Sequence, residues 1–397
     1  MSDLVSNPLV QPFEIAVPDA VLDDLYRRLR RARWPEPLVA SPWQLGTDAG
    51  YLKELVDYWI DGFDWRRVEA ELNRFDQFTT DIDGQRLHFV HQRAAAAGAL
   101  PIVVLSGWPS TFAEFAKVVP ILTDGTPPFH VVAPSLPGFG FSGPTTTTGW
   151  TPRRIAYAIA EMMRRLGYDR YGAHGGDWGA MVSSQLGLID ADHCVGVHLS
   201  MVIAPDPRSA GGRSGPNPQQ DQVPDPSDEL SPAEQADVDR MYAAGRDQMG
   251  YQRIQSTRPQ TLSASLMDSP LGLAAWIVEK FRAWSDCDGD IETRFSKDEL
   301  LTNLTIYWVT GTIASANRIY AETRRAGFGA SLPDAKVPVP MGYTKFPGDA
   351  FKPPRRWVER LYDVRRWSEV DEGGHFPALE VPELLATEIR AFFRSLE

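Results

Sequence analysis

A carboxylate stands at the centre of the glycine-rich stretch Gly175-Gly176-Asp177-Trp178-Gly179. An apolar segment precedes this stretch and a helix-like one follows it, which is the pattern of a sharp strand-to-helix turn that exposes a nucleophile. Asp177 occupies the position where such turns commonly carry serine. A carboxylate nucleophile forms an ester with an electrophilic sp³ carbon, so epoxides or alkyl halides are the expected substrates. The same residues also fit an ordinary helix N-cap.

A histidine is needed if water is to cleave such an ester, because its pKa lies near neutrality. His375 has the best context of the seven histidines, since it follows Gly373 and Gly374 after the last predicted strand. Its position agrees with the chain order nucleophile, acid, histidine. His174 is expected to pack beneath the turn. The others are expected to be strand or surface residues: His88, His91, His130, His193 and His198. No metal-binding spacing occurs, so we expect no catalytic metal.

A second carboxylate has to orient the imidazole of that histidine. Asp349 follows the penultimate predicted strand, which is where this residue should lie. Several nearby carboxylates remain alternatives to it: Glu359, Asp363, Glu369, Asp371 and Glu372.

Backbone N–H groups are predicted to stabilise the oxyanion formed during ester cleavage. Ser106-Gly107-Trp108-Pro109 follows an apolar strand, so the main-chain N–H of Trp108 is expected to meet that of Trp178. Only backbone donors are required for this role. The same four residues also fit a tight turn with proline at the start of a helix.

Opening an epoxide produces an alkoxide, which has to be protonated as it forms. Tyrosine suits this task because a phenol can donate a proton and is neutral at pH 7. Tyr251 and Tyr320 are candidates for this pair of donors. Periodicity by itself does not distinguish them from Tyr242 or Tyr307.

Short apolar strands alternate with helical stretches from residue 78 onward. The pattern predicts an α/β fold with a mostly parallel sheet that is covered on both faces, and with the ligand at the carboxyl ends of the strands. The predicted strands are 78–82, 87–91, 101–105, 130–133, 171–174, 337–343 and 364–368. The predicted helices of this part are 112–122, 152–166, 180–188 and 381–396.

The remaining segments predict two helical additions to the sheet. Residues 1–80 are expected to form an N-terminal lid, with a helix capped by Asp19 and another over 65–72. The hydrolase-like core would comprise residues 81–204 and 333–397. Residues 205–332 would form a flexible loop, over 205–231, followed by a helical cap. The cap helices are predicted at 232–249, 259–266, 271–284 and 297–325.

The composition excludes several classes of protein. The 397 residues are 43% hydrophobic and 23% charged, with a net charge of -12, which argues against nucleic acid or an anionic membrane as partner. The two cysteines, Cys194 and Cys287, predict reduced thiols in a cytoplasmic protein. No segment reaches the ~18 apolar residues of a membrane span. The oligomeric state stays open, with a homodimer as one option.

Motifs spread over nearly the whole chain together resemble those of the microsomal-type epoxide hydrolases, a family with the α/β-hydrolase fold. The resemblance is specific because several separate motifs match in the same order. They include residues 33–35, 63–66, 107–109, 137–142, 175–179, 269–277, 301–303 and 373–376.

The resemblance implies an epoxide hydrolase that needs no metal or organic cofactor and uses only an epoxide and water. Asp177 would be the nucleophile, His375 the general base and Asp349 its partner. Trp108 and Trp178 would supply the oxyanion hole. The residues implied in substrate binding are Trp108, Trp178, Tyr251 and Tyr320.

The chain departs from the family pattern near the oxyanion turn. Ser106 stands where histidine is usual, and Ser110 where glycine is usual. We expect catalysis to survive because the Trp108 donor belongs to the backbone. The family's membrane anchor is not visible in the sequence, which predicts a soluble bacterial or fungal member.

Two other functions are alternatives to this one. A haloalkane dehalogenase also uses an Asp-Trp turn, but usually lacks the N-terminal lid and the two cap tyrosines. A non-catalytic binding protein on the same fold is the other alternative. For an epoxide hydrolase, roles in natural-product biosynthesis of the enediyne type and in detoxification both stay open.

Overall fold

The structure, a computed structural model, describes residues 8–36, 43–207, 229–327 and 333–396. Most of the loop expected over 205–231 lies outside these residues. Among the described residues, no single helix is long and apolar enough to cross a membrane. Two consecutive helices, over 259–268 and 270–284, reach that length and apolarity only when they are counted as one segment. The axes of these two helices are bent by 117° relative to each other.

One nine-stranded sheet forms the centre of the described chain, in the order β1-β2-β3-β5-β4-β6-β7-β8-β9. The first three strands run antiparallel to their neighbours, and the others are parallel. The predicted α/β fold with a mostly parallel sheet is confirmed. The strands are β1 (Val10–Pro12), β2 (Gln77–Ile82), β3 (Gln85–Gln92), β4 (Leu100–Leu105), β5 (Phe129–Pro134), β6 (Tyr171–Gly175), β7 (Cys194–Leu199), β8 (Val337–Lys345) and β9 (Tyr362–Glu369).

Helices cover both faces of this sheet, as the buried parallel strands require. In the described ranges they are α1 (Asp19–Arg30), α2 (Ala49–Asp61), α3 (Trp65–Leu72), α4 (Val118–Asp124), α5 (Pro152–Arg165), α6 (Asp177–Ile189), α7 (Pro232–Asp247), α8 (Gly250–Thr257), α9 (Pro259–Asp268), α10 (Pro270–Trp284), α11 (Lys297–Thr310), α12 (Ile313–Ala326), α13 (Arg355–Val358), α14 (Pro377–Glu380) and α15 (Pro382–Arg394). Helix α6 packs on Val197 of β7, and α15 packs on the next residue back, Gly196. Because side chains alternate between the faces of a strand, these two helices lie on opposite sides.

Some local features of the structure differ from the predictions. Strand β7 was not predicted, because His198 interrupts the apolar pattern of a strand that lies between β6 and β8. The single helix predicted over 297–325 is two helices, since Gly311 has a φ of 63° and ends α11. The helix predicted over 112–122 begins as a 3₁₀ turn at Phe112–Ala116. Helix α8 was also missed.

The N-terminal segment joins both the sheet and the cap. The boundary expected between residues 80 and 81 falls within β2, which pairs with β1. Asp19 is the first residue of α1 and does not cap it, because the N-cap position is held by Pro18. The indole N–H of Trp59 donates to the Thr305 hydroxyl at 3.0 Å, which ties α2 to α11.

The site is assembled where the parallel strands end. The turns after β4, β6, β8 and β9 lead to Trp108, Asp177, Asp349 and His375 respectively. Neighbouring parallel strands present their carboxyl ends at one edge, which brings these distant residues together. Helices α8 and α12 of the cap close over that edge and contribute Tyr251 and Tyr320.

Candidate active site

Asp177 lies in a strained turn between β6 and α6. Its φ is 48°, a left-handed conformation that non-glycine residues rarely adopt. A Cβ on Gly175 would collide with the carbonyl of Gly179, and one on Gly179 would collide with the carbonyl of Leu105. The two glycines therefore allow α6 to start directly against the sheet, and the turn presents Asp177 at the strand end.

The carboxylate of Asp177 is held by the turn that follows β4. The main-chain N–H of Trp108 donates to Oδ1 of Asp177 at 2.8 Å. A Cβ on Gly107 would collide with that same oxygen and would lie 2.6 Å from the main-chain nitrogen of Trp178. The N–H of Trp178 is one of the first in α6 and has no partner within that helix. The two predicted oxyanion donors thus both lie next to Gly107.

His375 lies between two carboxylates. Its Nδ1 is 3.1 Å from Oδ2 of Asp349, and its Nε2 is 3.5 Å from Oδ2 of Asp177. Its own main-chain N–H donates to the carbonyl of Trp284 at 2.8 Å, which fixes the loop after β9. Burial would lower the pKa of His375, but the negative charges of Asp349 and Asp177 outweigh it and raise the pKa to about 10.

Asp349 is oriented by its own loop. The N–H of Phe351 donates to Oδ1 at 2.8 Å, which leaves Oδ2 for His375. The other carboxylates that the sequence offered as partners of His375 make different contacts or are exposed. Glu359, Asp363 and Glu372 pair with arginines, Glu369 pairs with Lys345, and Asp371 is exposed.

Tyr251 and Tyr320 stand over the carboxylate from the cap. Tyr251 stacks on Trp108 with ring centroids 4.8 Å apart, and Tyr320 meets Trp178 edge-on at 4.7 Å. Both side chains are buried. Burial and the charge of Asp177 raise the pKa of each phenol, so both hydroxyls are neutral donors at pH 7.

The structure separates these two tyrosines from the other candidates. The hydroxyl of Tyr242 is exposed and donates to Asp206 at 2.8 Å. The hydroxyl of Tyr307 donates to the carbonyl of Ser110 at 2.9 Å. The structure therefore brings Tyr251 and Tyr320 together, with ring centroids 5.8 Å apart, against Trp108 and Trp178, which periodicity could not predict.

Two family models match the chain. The model described as the epoxide hydrolase N terminus matches residues 10–115, and the α/β-hydrolase fold model matches residues 101–210. A protein of Stigmatella aurantiaca, provisionally named an epoxide hydrolase, is 43% identical over 98% of this chain and 85% of its own length. Epoxide hydrolase 1 of Sus scrofa is 35% identical over 98% of this chain and 89% of its length.

This chain belongs to the epoxide hydrolase family. The predicted resemblance is therefore confirmed at the level of the family. The epoxide hydrolase of Aspergillus niger has a similar structure, with a TM-score of 0.83 and 32% identity over 98% of this chain and 96% of that one.

One charged residue near the nucleophile of this epoxide hydrolase family member was not predicted from the sequence. Glu114 lies in the 3₁₀ turn after the Trp108 loop and borders a small cavity together with Asp177 and His375. Burial, with a smaller contribution from the charge of Asp177, outweighs the opposing effects of Ser110 and His375 and raises the pKa of Glu114 to about 7. The sequence does contain an indication of this residue, because Glu114 is the single carboxylate within the otherwise apolar residues 112–116.

Helix α11 supports the Trp108 turn from behind. Asn303 donates to the carbonyl of Pro109 at 2.8 Å, and Tyr307 donates to that of Ser110. These bonds occupy the carbonyl groups next to the Trp108 donor. Ser106 and Ser110, the two departures from the family pattern, are both buried in this turn.

Proposed function

We propose that this chain hydrolyses an epoxide to a vicinal diol through an ester of Asp177. One observation carries the proposal: the half-buried carboxylate of Asp177 accepts a backbone hydrogen bond and lies 3.5 Å from a histidine that is paired with a second carboxylate. The cap adds two neutral tyrosines that contact each other and the rings of Trp108 and Trp178. Full-length similarity to proteins named epoxide hydrolases supports it.

In the first step, an oxygen of Asp177 attacks an epoxide carbon and the carbon–oxygen bond of the ring breaks. Tyr251 or Tyr320 donates a proton to the ring oxygen as it becomes an alkoxide. Formation of the ester removes the charge of Asp177, and the pKa of His375 falls. His375 then releases the proton that restores the tyrosine, so that the imidazole is neutral for the next step.

In the second step, water attacks the carbonyl carbon of the ester and His375 takes its proton. The N–H groups of Trp108 and Trp178 stabilise the oxyanion. The bond from the carbonyl carbon to the alkoxy oxygen then breaks, and the remaining proton of the attacking water is transferred to that oxygen. The diol leaves, Asp177 is again a carboxylate, and His375 is again the imidazolium ion.

The experiment is to measure the intact mass of a His375→Gln variant after incubation with styrene oxide. We expect a stable adduct of the mass of the whole epoxide, because the ester forms but cannot be hydrolysed. The adduct should be absent when Asp177→Asn is added, with deamidation excluded by mass. Absence of an adduct on Asp177, while the wild-type chain still turns the epoxide over, would contradict the mechanism.

A chloroalkane incubated with the same variant tests the dehalogenase alternative. An alkyl adduct from the chloroalkane, with none from the epoxide, would favour a haloalkane dehalogenase. Turnover of any epoxide by the wild-type chain would dismiss a non-catalytic binding role. We propose a metabolic role in natural-product biosynthesis or detoxification, both of which consume reactive epoxides.

A further inference from the structure

A lysine of the cap is buried against one of the two cap tyrosines. Lys280 lies near the end of α10 and is 5% exposed. Its Nζ lies 5.0 Å from the ring centroid of Tyr251 and 5.8 Å from that of Trp284. Within the described residues, its one ion-pair partner is the neighbouring Glu279, whose side chain is 28% exposed. The two steps of the proposed mechanism leave this ammonium without a role.

The burial of this ammonium is costly, and the cost is offset only by groups that interact with the charge. The rings of Tyr251 and Trp284 are such groups, because an aromatic ring attracts a cation that lies over its face. Methionine has a side chain of similar length and would fill the position of Lys280 without a charge. A buried charge that is kept at a cost in stability is a feature expected of functional sites.

The proposed first step moves a negative charge from Asp177 onto the tyrosine that donates the proton. The carboxylate becomes a neutral ester, the ring oxygen becomes a hydroxyl, and the tyrosine is a phenolate until His375 restores its proton. A phenolate ring attracts a cation more strongly than a neutral phenol ring, because its π system carries part of the negative charge. An ammonium beside the forming phenolate therefore stabilises the transition state more than the ground state, which lowers the barrier.

The two cap tyrosines differ in their access to such a charge. Three rings meet Tyr320 edge-on, those of Trp108, Trp178 and Tyr251. In the part of the chain that the structure describes, no lysine or arginine lies over the ring of Tyr320. Burial disfavours a phenolate at either position, and of the two tyrosines Tyr251 is the one that has a cation over its ring.

We propose that Lys280 stabilises the phenolate that Tyr251 becomes when it protonates the opening epoxide, so that Tyr251 is the proton donor and Tyr320 supplies a hydrogen bond to the same oxygen. The inference rests on the proposed function, because it assigns the donor in its first step. Lys280 acts here through Tyr251, as a positioning residue, and transfers no proton itself.

The test separates ester formation from ester hydrolysis in the full chain. Each variant is mixed rapidly with styrene oxide and quenched with acid, and the esterified fraction is followed by intact mass. Lys280→Met keeps the length of the side chain and removes its charge, and Lys280→Arg keeps the charge. A third variant combines Lys280→Met with Glu279→Gln, which removes both charges of the ion pair and leaves no carboxylate without its partner.

Two comparisons make the test specific to Tyr251. Lys280→Met is also made in the Tyr251→Phe and Tyr320→Phe backgrounds, each of which removes one phenol. Lys297→Met is the matched control, because Lys297 also belongs to an ion pair and lies 5.9 Å from the ring centroid of Tyr51. That change removes a lysine from a tyrosine ring on the N-terminal helix α2 instead of in the cap.

We expect Lys280→Met to slow ester formation about fivefold or more, while ester hydrolysis changes less than about twofold. Lys280→Arg should retain most of the rate of ester formation, and the loss in Lys280→Met should persist when Glu279→Gln is added. The loss should remain in the Tyr320→Phe background and vanish in the Tyr251→Phe background. The Lys297→Met control should behave like wild type.

Unchanged ester formation in Lys280→Met would overturn the inference, as would a loss of equal size in the Tyr251→Phe background. An equal slowing of both steps would also overturn it, because Trp284 contacts the ring of His375 at 5.1 Å and a merely structural role of Lys280 would impair hydrolysis as well. Recovery of the rate on adding Glu279→Gln would assign the loss to the unpaired carboxylate and not to the missing cation. If no ester forms in any variant, His375→Gln included, the proposed function has failed and this inference with it.

Discussion

The main-chain N–H of Trp108 donates a 2.8 Å hydrogen bond to Oδ1 of Asp177. A donor proposed to stabilise an oxyanion thus already binds the nucleophile in the free protein. The same contact orients the carboxylate, so that its other oxygen faces His375. This relationship depends on the absence of a side chain at Gly107, which leads to the first prediction.

Replacing Gly107 by alanine should disrupt this contact. The new Cβ would collide with Oδ1 of Asp177 and lie 2.6 Å from the nitrogen of Trp178. We expect kcat to fall by about 100-fold or more, the typical effect of losing one oxyanion donor. Steady-state kinetics with styrene oxide measures this. Gly98→Ala is the matched control, since a Cβ there meets open space, and equal activity in the two variants would refute the prediction.

Replacing either cap tyrosine by phenylalanine should slow formation of the ester. Tyr251→Phe and Tyr320→Phe each remove one neutral donor, and we expect a loss of about 10- to 100-fold in the alkylation rate, with a larger loss in the double variant. Single-turnover mixing measures this rate apart from ester hydrolysis. Tyr242→Phe should have no effect because its hydroxyl contacts Asp206 on the surface. A normal alkylation rate in the double variant would exclude a role for both tyrosines.

Replacing Tyr307 by phenylalanine should impair catalysis through the Trp108 turn. The change leaves the buried carbonyl of Ser110 without its 2.9 Å donor, which costs about 1–3 kcal/mol of stability. We expect kcat to fall several-fold with little change in KM. Tyr362→Phe is the control, because its buried hydroxyl meets Ser184 on α6. A similar loss of stability in both, with reduced kcat in both, would show that the effect is not specific to the turn.

The charge on His375 should contribute to stability in a defined range of pH. Its folded pKa of about 10 lies above the ~6.5 of an unfolded histidine. The contribution is therefore fully present below about pH 6.5 and is lost as the pH rises toward 10. Urea unfolding of wild type and His375→Gln across this range should show a shrinking difference in the free energy of unfolding. A difference that grows with pH would mean that the imidazole is neutral in the folded chain.

Much of this arrangement could be predicted from local sequence. The Gly-Gly-Asp-Trp-Gly turn identifies Asp177, because the strained backbone and the close helix leave room only for glycine at the flanking positions. His375 follows from its position after the last strand, and the alternation of strands and helices predicts the parallel sheet. These features depend on neighbouring residues and on chain order, both of which are written in the sequence.

The tertiary structure determined the contacts between residues that lie far apart in the sequence. Five other carboxylates competed with Asp349 for the role of partner to His375, and only the packing of the loop after β8 against the loop after β9 placed Asp349 3.1 Å from that histidine. Tyr251 and Tyr320 lie far apart in the chain, and the stacking of α8 and α12 over Trp108 and Trp178 selected them. Glu114 was predicted only as part of a helix, and its position beside Asp177 is a result of the fold. Contacts between residues distant in sequence arise from packing, which local patterns do not encode.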